Sequence, residues 1–155
     1  MTDVSDYRLD LAKQFGADVA INVTRTTEAE RIELVRQETR GLGAAIVCEC
    51  VGKPMVVNEG LKMLRKAGMY IEVGNFVDCG DSPINIHEIC ANNLRIVGMT
   101  NHTHNSYRQM MNMMARSLHQ FPWEKYVSHV YPLDKALDAL YKSMTLDCMK
   151  VAIKP

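Results

Sequence analysis

Short apolar runs alternate with segments of helical periodicity along the first half of the chain. Ser5 is placed to cap a helix, and Gly16 supplies its C-terminal stop. Between them, Leu9 and Phe15 belong to one apolar face at helical spacing. The β-branched run over residues 19–23 then predicts a short strand.

The alternation continues through the middle of the chain. Thr27 and Glu30 have the spacing of a capping box, for a helix that ends at Gly41. Residues 44–51 are almost continuously apolar, with Glu49 as the interruption. Such a run is typical of a strand that is covered on both faces.

One more helix and strand follow. Pro54 is tolerated in the first turn of a helix, which is predicted to continue through Leu64 and to stop at Gly68. Residues 69–73 then predict a strand. Because parallel strands need helical crossovers, this order of elements predicts βαβ units and an α/β fold with a doubly wound parallel sheet.

The second half of the chain predicts a short helix near residues 87–92, a strand over 94–99, and a last strand over 151–153. Between these strands lie two apolar stripes at helical spacing, and the core is the favoured location of the first, with a partner subunit as the alternative. The first stripe is Tyr107, Met110, Met111, Met114 and Leu118, and the second is Leu133, Ala136, Leu137, Leu140, Tyr141 and Met144. Neither a repeat nor a linker interrupts the pattern, so one compact domain over residues 1–155 is the simplest prediction.

Charge and composition narrow the function. The formal net charge is +0 and the pI is about 6.9, so the chain has no electrostatic excess for nucleic acid or an anionic membrane surface. The start of the chain lacks a secretory signal pattern, which predicts a cytoplasmic location. Five cysteines form an odd set, and the apolar surroundings of Cys48, Cys50 and Cys90 predict buried free thiols.

Pairs of potential metal ligands are scattered along the sequence. His102 and His104 form an H-x-H pair, and His87 lies three residues before Cys90. Cys48 and Cys50 share one face of a strand. A metal site would need these distant pairs to converge, so we predict none in this chain.

The opening residues end in an acid, Asp3, directly before the first helix. An acid at the end of the second strand of a dinucleotide-binding fold accepts hydrogen bonds from the adenosine ribose and repels a 2′-phosphate. A turn or a helix cap is the alternative interpretation of such a residue. The glycine-rich turn that would precede it in that fold has no place in a chain that starts here.

Several strings together resemble one family. They are D-x-S-x-x-R-L-x-x-A-K-x-x-G-A-D from Asp3 to Asp18, Cys50-Val51-Gly52, the helix-to-strand junction from Leu64 to Gly74, L-R-I-V-G from Leu94, and the ending K-V-A-I-K-P. In order and spacing they resemble the medium-chain dehydrogenase/reductase family, and most of all its zinc-containing alcohol, sorbitol and threonine dehydrogenases. The resemblance covers essentially all 155 residues but matches only the C-terminal, cofactor-binding part of such enzymes. It implies a Rossmann-type fold, truncated so that the first strand and glycine-rich turn are missing.

The resemblance implies NAD as the cofactor, with adenosine-side contacts at five positions. Asp3 and Arg8 match residues that approach the adenosine ribose. Val51, Gly52 and Lys53 match the strand end that lies beside the adenosine. The alternatives are a solvated charge for Arg8 and an ordinary turn for Gly52.

Five further positions match the other end of the cofactor. Val73 and Gly74 correspond to a strand end near the nicotinamide ribose, and Met99 and Thr100 to backbone positions that contact the carboxamide. Lys150 corresponds to a basic residue within reach of the pyrophosphate. Buried strand residues and turns are the alternative interpretation here too.

The resemblance also implies what this chain does not supply. The family's catalytic zinc is held by a separate N-terminal domain, whose ligands have no counterparts here, so we expect no catalytic residue, no zinc, weak or absent NAD binding and no activity in the isolated chain. We expect a homodimer through the edge strand 94–100. The missing first strand would leave a gap in the middle of the sheet. Direct pairing of the second and fourth strands of the fold, a segment swapped from a second chain, or disorder of the first twenty or so residues would resolve it. The alternatives are a free-standing binding or assembly module without nucleotide, a small metal protein, and an enzyme completed by a second polypeptide.

Overall fold

The computed structural model describes all residues from Met1 to Pro155, and all of its strand pairs are parallel. The helices are α1 (Asp6–Gln14), α2 (Glu28–Glu38), α3 (Met55–Met63), α4 (Ile86–Ala91), α5 (His104–Arg116) and α6 (Ala136–Ser143). The strands are β1 (Thr2–Asp3), β2 (Ile21–Asn22), β3 (Ala44–Glu49), β4 (Leu64–Glu72), β5 (Arg95–Gly98), β6 (His129–Pro132) and β7 (Val151–Lys154). The predicted parallel α/β organisation is therefore confirmed.

The chain groups into two compact units, which the sequence pattern did not anticipate. The first unit is Met1–Thr26 with His102–Pro155, and the second is Thr27–Asn101. The strands form three separate sheets with the orders β1-β2, β3-β4-β5 and β6-β7. The opening residues belong to the first unit through β1 and α1.

In the first unit, the β1–α1–β2 segment follows the local signals of the sequence. The Ser5 side chain caps α1 by accepting the Arg8 N–H at 3.2 Å. Gly16 follows the helix with φ +92°, a conformation that favours glycine. The predicted strand over residues 19–23 is shorter than expected, because the Asn22 side chain accepts the Thr24 N–H and turns the chain into a 3-10 helix over Val23–Arg25.

In the second unit, helices α2 and α3 are joined by a buried ion pair. The predicted capping box of α2 is present, with the Thr27 and Glu30 groups bonded reciprocally. Arg31 contacts Glu59 through two hydrogen bonds, Nε to Oε1 at 2.6 Å and a terminal nitrogen to Oε2 at 2.7 Å. Both side chains are largely buried, which fixes the two helices in register.

The core of the second unit lies where α3 packs on the sheet. Val57, Leu61 and Tyr70 are its buried centre, and Val47 packs against them. Gly60 allows this packing because a Cβ there would lie 2.6 Å from the Tyr70 ring. The Tyr70 ring is thus enclosed, and its hydroxyl is buried without a hydrogen-bond partner.

Two predictions about this unit were wrong. Helix α3 ends at Met63 instead of continuing to Gly68, because Leu64 is extended (φ −70°, ψ 144°) and begins β4 directly. Strand β3 is covered on one face only. Val47 faces the core, whereas Ile46, which points to the opposite face, is 59% exposed.

The prediction that the first apolar stripe, Tyr107 to Leu118, lies in the core was also wrong, and the second stripe is largely exposed too. No residue of α5 is buried, and in α6 only Ala139 is. Helical periodicity reports that one face is apolar, but it does not report what covers that face. The prediction that Cys48, Cys50 and Cys90 are buried was wrong in the same way: they and Cys79 are exposed, and Cys148 is buried.

No helix of the chain has the length and apolar character needed to cross a membrane.

Candidate functional site

The carboxyl ends of β3, β4 and β5 lie side by side in the second unit. Glu49 pairs with Glu72 in the sheet register, and Glu72 pairs with Gly98. We call these strand ends, together with the residues that follow them, the carboxyl edge. Seven of the ten predicted cofactor residues belong to it: Val51, Gly52, Lys53, Val73, Gly74, Met99 and Thr100.

Main-chain hydrogen bonds extend the sheet into this edge. The Val73 and Gly74 N–H groups donate to the Glu49 carbonyl at 3.0 and 3.1 Å. The Met99 N–H donates to the Glu72 carbonyl at 2.9 Å. The residues after each strand are therefore ordered by the sheet itself.

Two glycines bring the loops after β3 and β4 into direct contact. We call these loops, residues 50–53 after β3 and residues 73–76 after β4, the strand-end loops. A Cβ on Gly74 would meet the Gly52 nitrogen and Glu49 Oε2, and would lie 2.7 Å from the Val51 nitrogen. Gly52 has φ +74°, and a Cβ there would lie 3.0 Å from the Gly74 carbonyl carbon. Only glycine fits both positions.

A buried carboxyl group lies directly beneath these loops. Glu49 is 5% exposed, and its Oε1 accepts the N–H groups of Val51 at 2.6 Å and Gly52 at 2.9 Å. Its Oε2 lies 3.4 Å from Asn75 Nδ2. Glu72 Oε1 accepts both the backbone N–H and the Nδ2 of Asn75, each at 3.0 Å. One carboxylate from each strand thus holds the loop that follows it.

The two carboxyl groups also share a partner, since Glu49 Oε2 and Glu72 Oε1 lie 3.4 and 3.0 Å from the same Asn75 nitrogen. Burial raises the pKa of the Glu49 carboxyl, and the neighbouring Glu72 raises it further. The pKa of the Glu72 carboxyl is lowered: burial opposes this shift, but the hydrogen bonds from Asn75 and from the Glu49 carboxyl outweigh it. Neither group takes part in an ion pair. The opposite directions of the two pKa shifts favour Glu49 as the carboxyl group that takes up a proton first.

The surface of the carboxyl edge is apolar and accessible. Val51 and Met99 are 62% and 54% exposed, and Lys53 is exposed beside them. Small residues, exposed apolar side chains and one cation are suited to a flat ring and its attached ribose. The exposed thiol of Cys50 lies on this edge, but burial raises its pKa to about 11, so it is not activated as a nucleophile.

The three remaining predicted residues belong to the first unit. Asp3 Oδ1 accepts the Ser5 N–H at 2.8 Å, which forms a turn at the end of β1. Arg8 donates from Nε to the Cys148 carbonyl at 2.9 Å and from a terminal nitrogen to the Thr145 carbonyl at 3.4 Å. Lys150 is exposed. Their roles toward a cofactor stay predictions.

The residues of this chain do not fit a zinc ion. Nowhere among the 155 residues do three or more His, Cys, Asp or Glu side chains converge as metal ligands. The Cys48 and Cys50 sulfurs lie 3.6 Å apart without a third ligand. The His102 ring packs edge-on against Tyr107, with ring centroids 5.3 Å apart.

Sequence reasoning missed Glu49, Glu72 and Asn75. The signal was present for Glu49, because an acid within an apolar strand needs a partner when it is buried. That partner lies 23 positions later along the chain, in the next strand, and the register of the two strands could not be read from the sequence.

A parallel α/β sheet whose glycine-containing strand ends meet at the carboxyl edge is typical of nucleotide-binding proteins. The family model described as zinc-binding dehydrogenase matches residues 1–116. The chain belongs to this zinc-binding dehydrogenase family, and its predicted resemblance and Rossmann-type fold are confirmed.

Curated relatives and solved structures agree with this assignment. The chain is 30% identical over 138 residues to 5-exo-hydroxycamphor dehydrogenase of Pseudomonas putida, covering 89% of this chain and 38% of the relative. It is 28% identical over 148 residues to sorbitol dehydrogenase of Halalkalibacterium halodurans, covering 96% and 41%. An alcohol dehydrogenase structure from Thermotoga maritima matches with a TM-score of 0.91 and 26% identity, over 99% of this chain and 42% of that chain.

A second structure shows the same fold at lower identity. An alcohol dehydrogenase from Escherichia coli, solved with the cofactor NADH, matches with a TM-score of 0.79 and 22% identity over 97% of this chain and 42% of that chain. In all of these comparisons the chain spans about two fifths of the length of the protein it matches.

Proposed function

We propose that this chain supplies the NAD contacts of a zinc-type medium-chain dehydrogenase that oxidises a secondary alcohol or a polyol. Membership of the family supports the reaction class. Relatives named for 5-exo-hydroxycamphor, sorbitol and L-threonine support an alcohol as substrate. A cytoplasmic location belongs to the same proposal.

The contact between Gly52 and Gly74 is the observation that carries the proposal. Two residues without side chains therefore meet at the point where open α/β sheets bind ligands. A dinucleotide needs such an approach because its ribose and phosphate groups bind to backbone as well as to side chains. The geometry of the carboxyl edge therefore fits NAD.

The chain's own residues would share the binding of the cofactor. Val51, Gly52 and Lys53 would flank the adenosine, while Val73, Gly74, Met99 and Thr100 would flank the nicotinamide end. Asp3 would reject a 2′-phosphate by charge repulsion and so favour NAD over NADP. Bound NAD supplies the acceptor for the hydride that leaves the alcohol carbon.

Stabilisation by the cofactor tests this proposal. We expect NADH to raise the melting temperature of the purified chain in a concentration-dependent way, and NADPH to do so less. Gly74→Ala should weaken the NADH effect by about tenfold in concentration, which corresponds to about 1.4 kcal/mol. Gly98→Ala is the matched control, since a Cβ there meets nothing within 4 Å.

The competing function is a binding or assembly module that has lost the nucleotide. The exposed apolar face of α5 favours it, with Tyr107, Met110 and Met111 all at least 48% exposed. A melting temperature that millimolar NADH and NADPH leave unchanged would support this module and reject the cofactor proposal.

The isolated chain is expected not to turn over alcohol, because it matches only about two fifths of its relatives and the zinc ligands of the resemblance lie outside the matched part. A homodimer through residues 94–100 belongs to the same proposal. Strand β5 is an edge strand, and all of its residues are exposed. Light scattering should report twice the chain mass, and Val97→Lys should return it to the monomer mass.

A further inference from the structure

The two strand-end loops are both attached to one side chain and its backbone. The Glu49 carboxyl accepts the N–H groups of Val51 and Gly52, and the Glu49 carbonyl accepts those of Val73 and Gly74. Through Oε2 the same carboxyl reaches Asn75. Any displacement of the Glu49 carboxyl must therefore move both loops.

We propose that Glu49 is a positioning residue for the cofactor-binding edge, and that the proton it shares with Glu72 sets the shape of the two strand-end loops. This inference rests on the proposed function for its consequence, since these loops carry the predicted NAD contacts. The shared proton itself does not depend on that function.

The two carboxyl groups are neighbours in the sheet register, and Glu49 Oε2 and Glu72 Oε1 lie 3.4 and 3.0 Å from the same nitrogen, Asn75 Nδ2. Glu49 Oε1 already accepts two N–H groups, and Glu72 Oε1 accepts two from Asn75. Two carboxylates in contact repel each other unless one is protonated. With the proton, Glu49 donates to Glu72 and both loops stay in place. Without it, repulsion separates the carboxyl groups and the loops attached to them.

No positively charged side chain near Glu49 and Glu72 forms an ion pair that would offset the negative charge of two ionised carboxyl groups. The titratable groups nearest along the chain are the Cys48 and Cys50 thiols, which flank Glu49, and the Tyr70 hydroxyl, which lies two residues before Glu72 on the same face of β4. Burial raises the pKa of the Cys50 thiol to about 11, and it also raises the pKa of Tyr70. No Lys, Arg or His side chain forms an ion pair with either carboxyl group.

The direction of the pH effect follows from the two opposite shifts. The raised pKa of Glu49 gives stability that is complete below about pH 4.3, the usual value for a free glutamate, and is lost as the pH rises through the folded-state pKa. The lowered pKa of Glu72 gives stability that is present above that value and is lost as the pH falls through its own folded-state pKa. The one-proton pair is therefore most stable between the two pKa values, and it loosens toward alkaline pH.

Amide chemical shifts of the whole chain test this device directly. We expect the Val51, Gly52 and Asn75 amide signals to shift between pH 4.5 and 8 with one common midpoint, which lies above the usual glutamate range. Glu49→Gln should abolish this titration, because a glutamine keeps the acceptor oxygen and donates an N–H to Glu72 at every pH. Glu38→Gln, at an exposed residue of α2, should leave the midpoint unchanged, and so should Cys48→Ser.

Two outcomes would overturn the inference. One is a set of three amides that titrate with different midpoints or not at all. The other is a common titration that survives in Glu49→Gln. Because the glutamine variant is isosteric and keeps the oxygen that accepts the Val51 and Gly52 N–H groups, its folding is expected to be retained, and dispersed amide signals check it.

NADH affinity links the device to the proposed function. In the parent chain the affinity for NADH should fall by roughly threefold or more as the pH rises through the midpoint, whereas Glu49→Gln should show no such fall. An affinity with equal pH dependence in both proteins would contradict the positioning role. If the amides titrate together and NADH does not bind, the proposed function fails and the proton-sharing pair stands.

Discussion

At the scale of single residues, the interior of the second unit contains three side-chain polar atoms without a hydrogen-bond partner: Tyr70 Oη, Asn75 Oδ1 and Ser82 Oγ. Tyr70 is 1% exposed, and its ring packs against Gly60 and the core around it. The hydroxyl oxygen has no hydrogen-bond partner. A buried polar group in this state costs stability, because it has lost its water without gaining a partner.

Tyr70→Phe is therefore expected to stabilise the chain by about 1 kcal/mol, the lower end of the cost of an unsatisfied buried group. The free energy of unfolding in urea measures it. Tyr7→Phe is the control, because Tyr7 is 40% exposed and should give no change. Loss of stability in Tyr70→Phe would show that the hydroxyl is bonded in solution.

Local residue signals were the part of the fold that the sequence predicted best. The capping contacts of Ser5, Thr27 and Glu30 and the helix stop at Gly16 lie within one helical turn, so the neighbouring sequence is enough to predict them. Glu49 shows the limit, since its partners depend on the register of two strands.

At the scale of elements, helices α2 and α3 are connected by two ion pairs of very different environment. Arg31 and Glu59 have side-chain exposures of 11% and 16% and form two short hydrogen bonds. Lys62 and Glu28 join the same two helices at 2.8 Å with exposures of 55% and 46%. Comparing the two pairs separates the effect of burial on the free energy of unfolding from the effect of the ionic contact itself.

Glu59→Gln should lower the free energy of unfolding by about 3 kcal/mol, because it removes the carboxylate of a buried ion pair. Glu28→Gln should change it little, since water screens the exposed pair. Urea titration of both variants makes the measurement. Equal effects of the two substitutions would contradict a structural role for the buried pair.

The presence of helices and strands was predicted more reliably than the residues at which they end or the faces that are buried. The strand at residues 69–73 and the helix after Pro54 are present, but the junction at Leu64 was misplaced, because an apolar residue there fits a helix and a strand equally well. The α5 stripe was recognised as one face of a helix, yet its burial was not predictable from spacing.

At the scale of the whole molecule, the parallel α/β class and the family could be predicted because many weak signals fall in the right order along the chain. The candidate site could be predicted in part. The glycine positions 52 and 74 follow from the family resemblance, whereas the carboxyl pair beneath them required the folded sheet.

The central claim is that the carboxyl edge of β3, β4 and β5 binds NAD, and mapping of amide shifts with NADH tests it most directly. The account predicts that NADH shifts the amides of Val51, Gly52, Lys53, Val73, Gly74, Met99 and Thr100, with saturation, while those of the exposed face of α2 stay in place. Shifts that are confined to other surfaces, or no shifts at millimolar NADH, would contradict it.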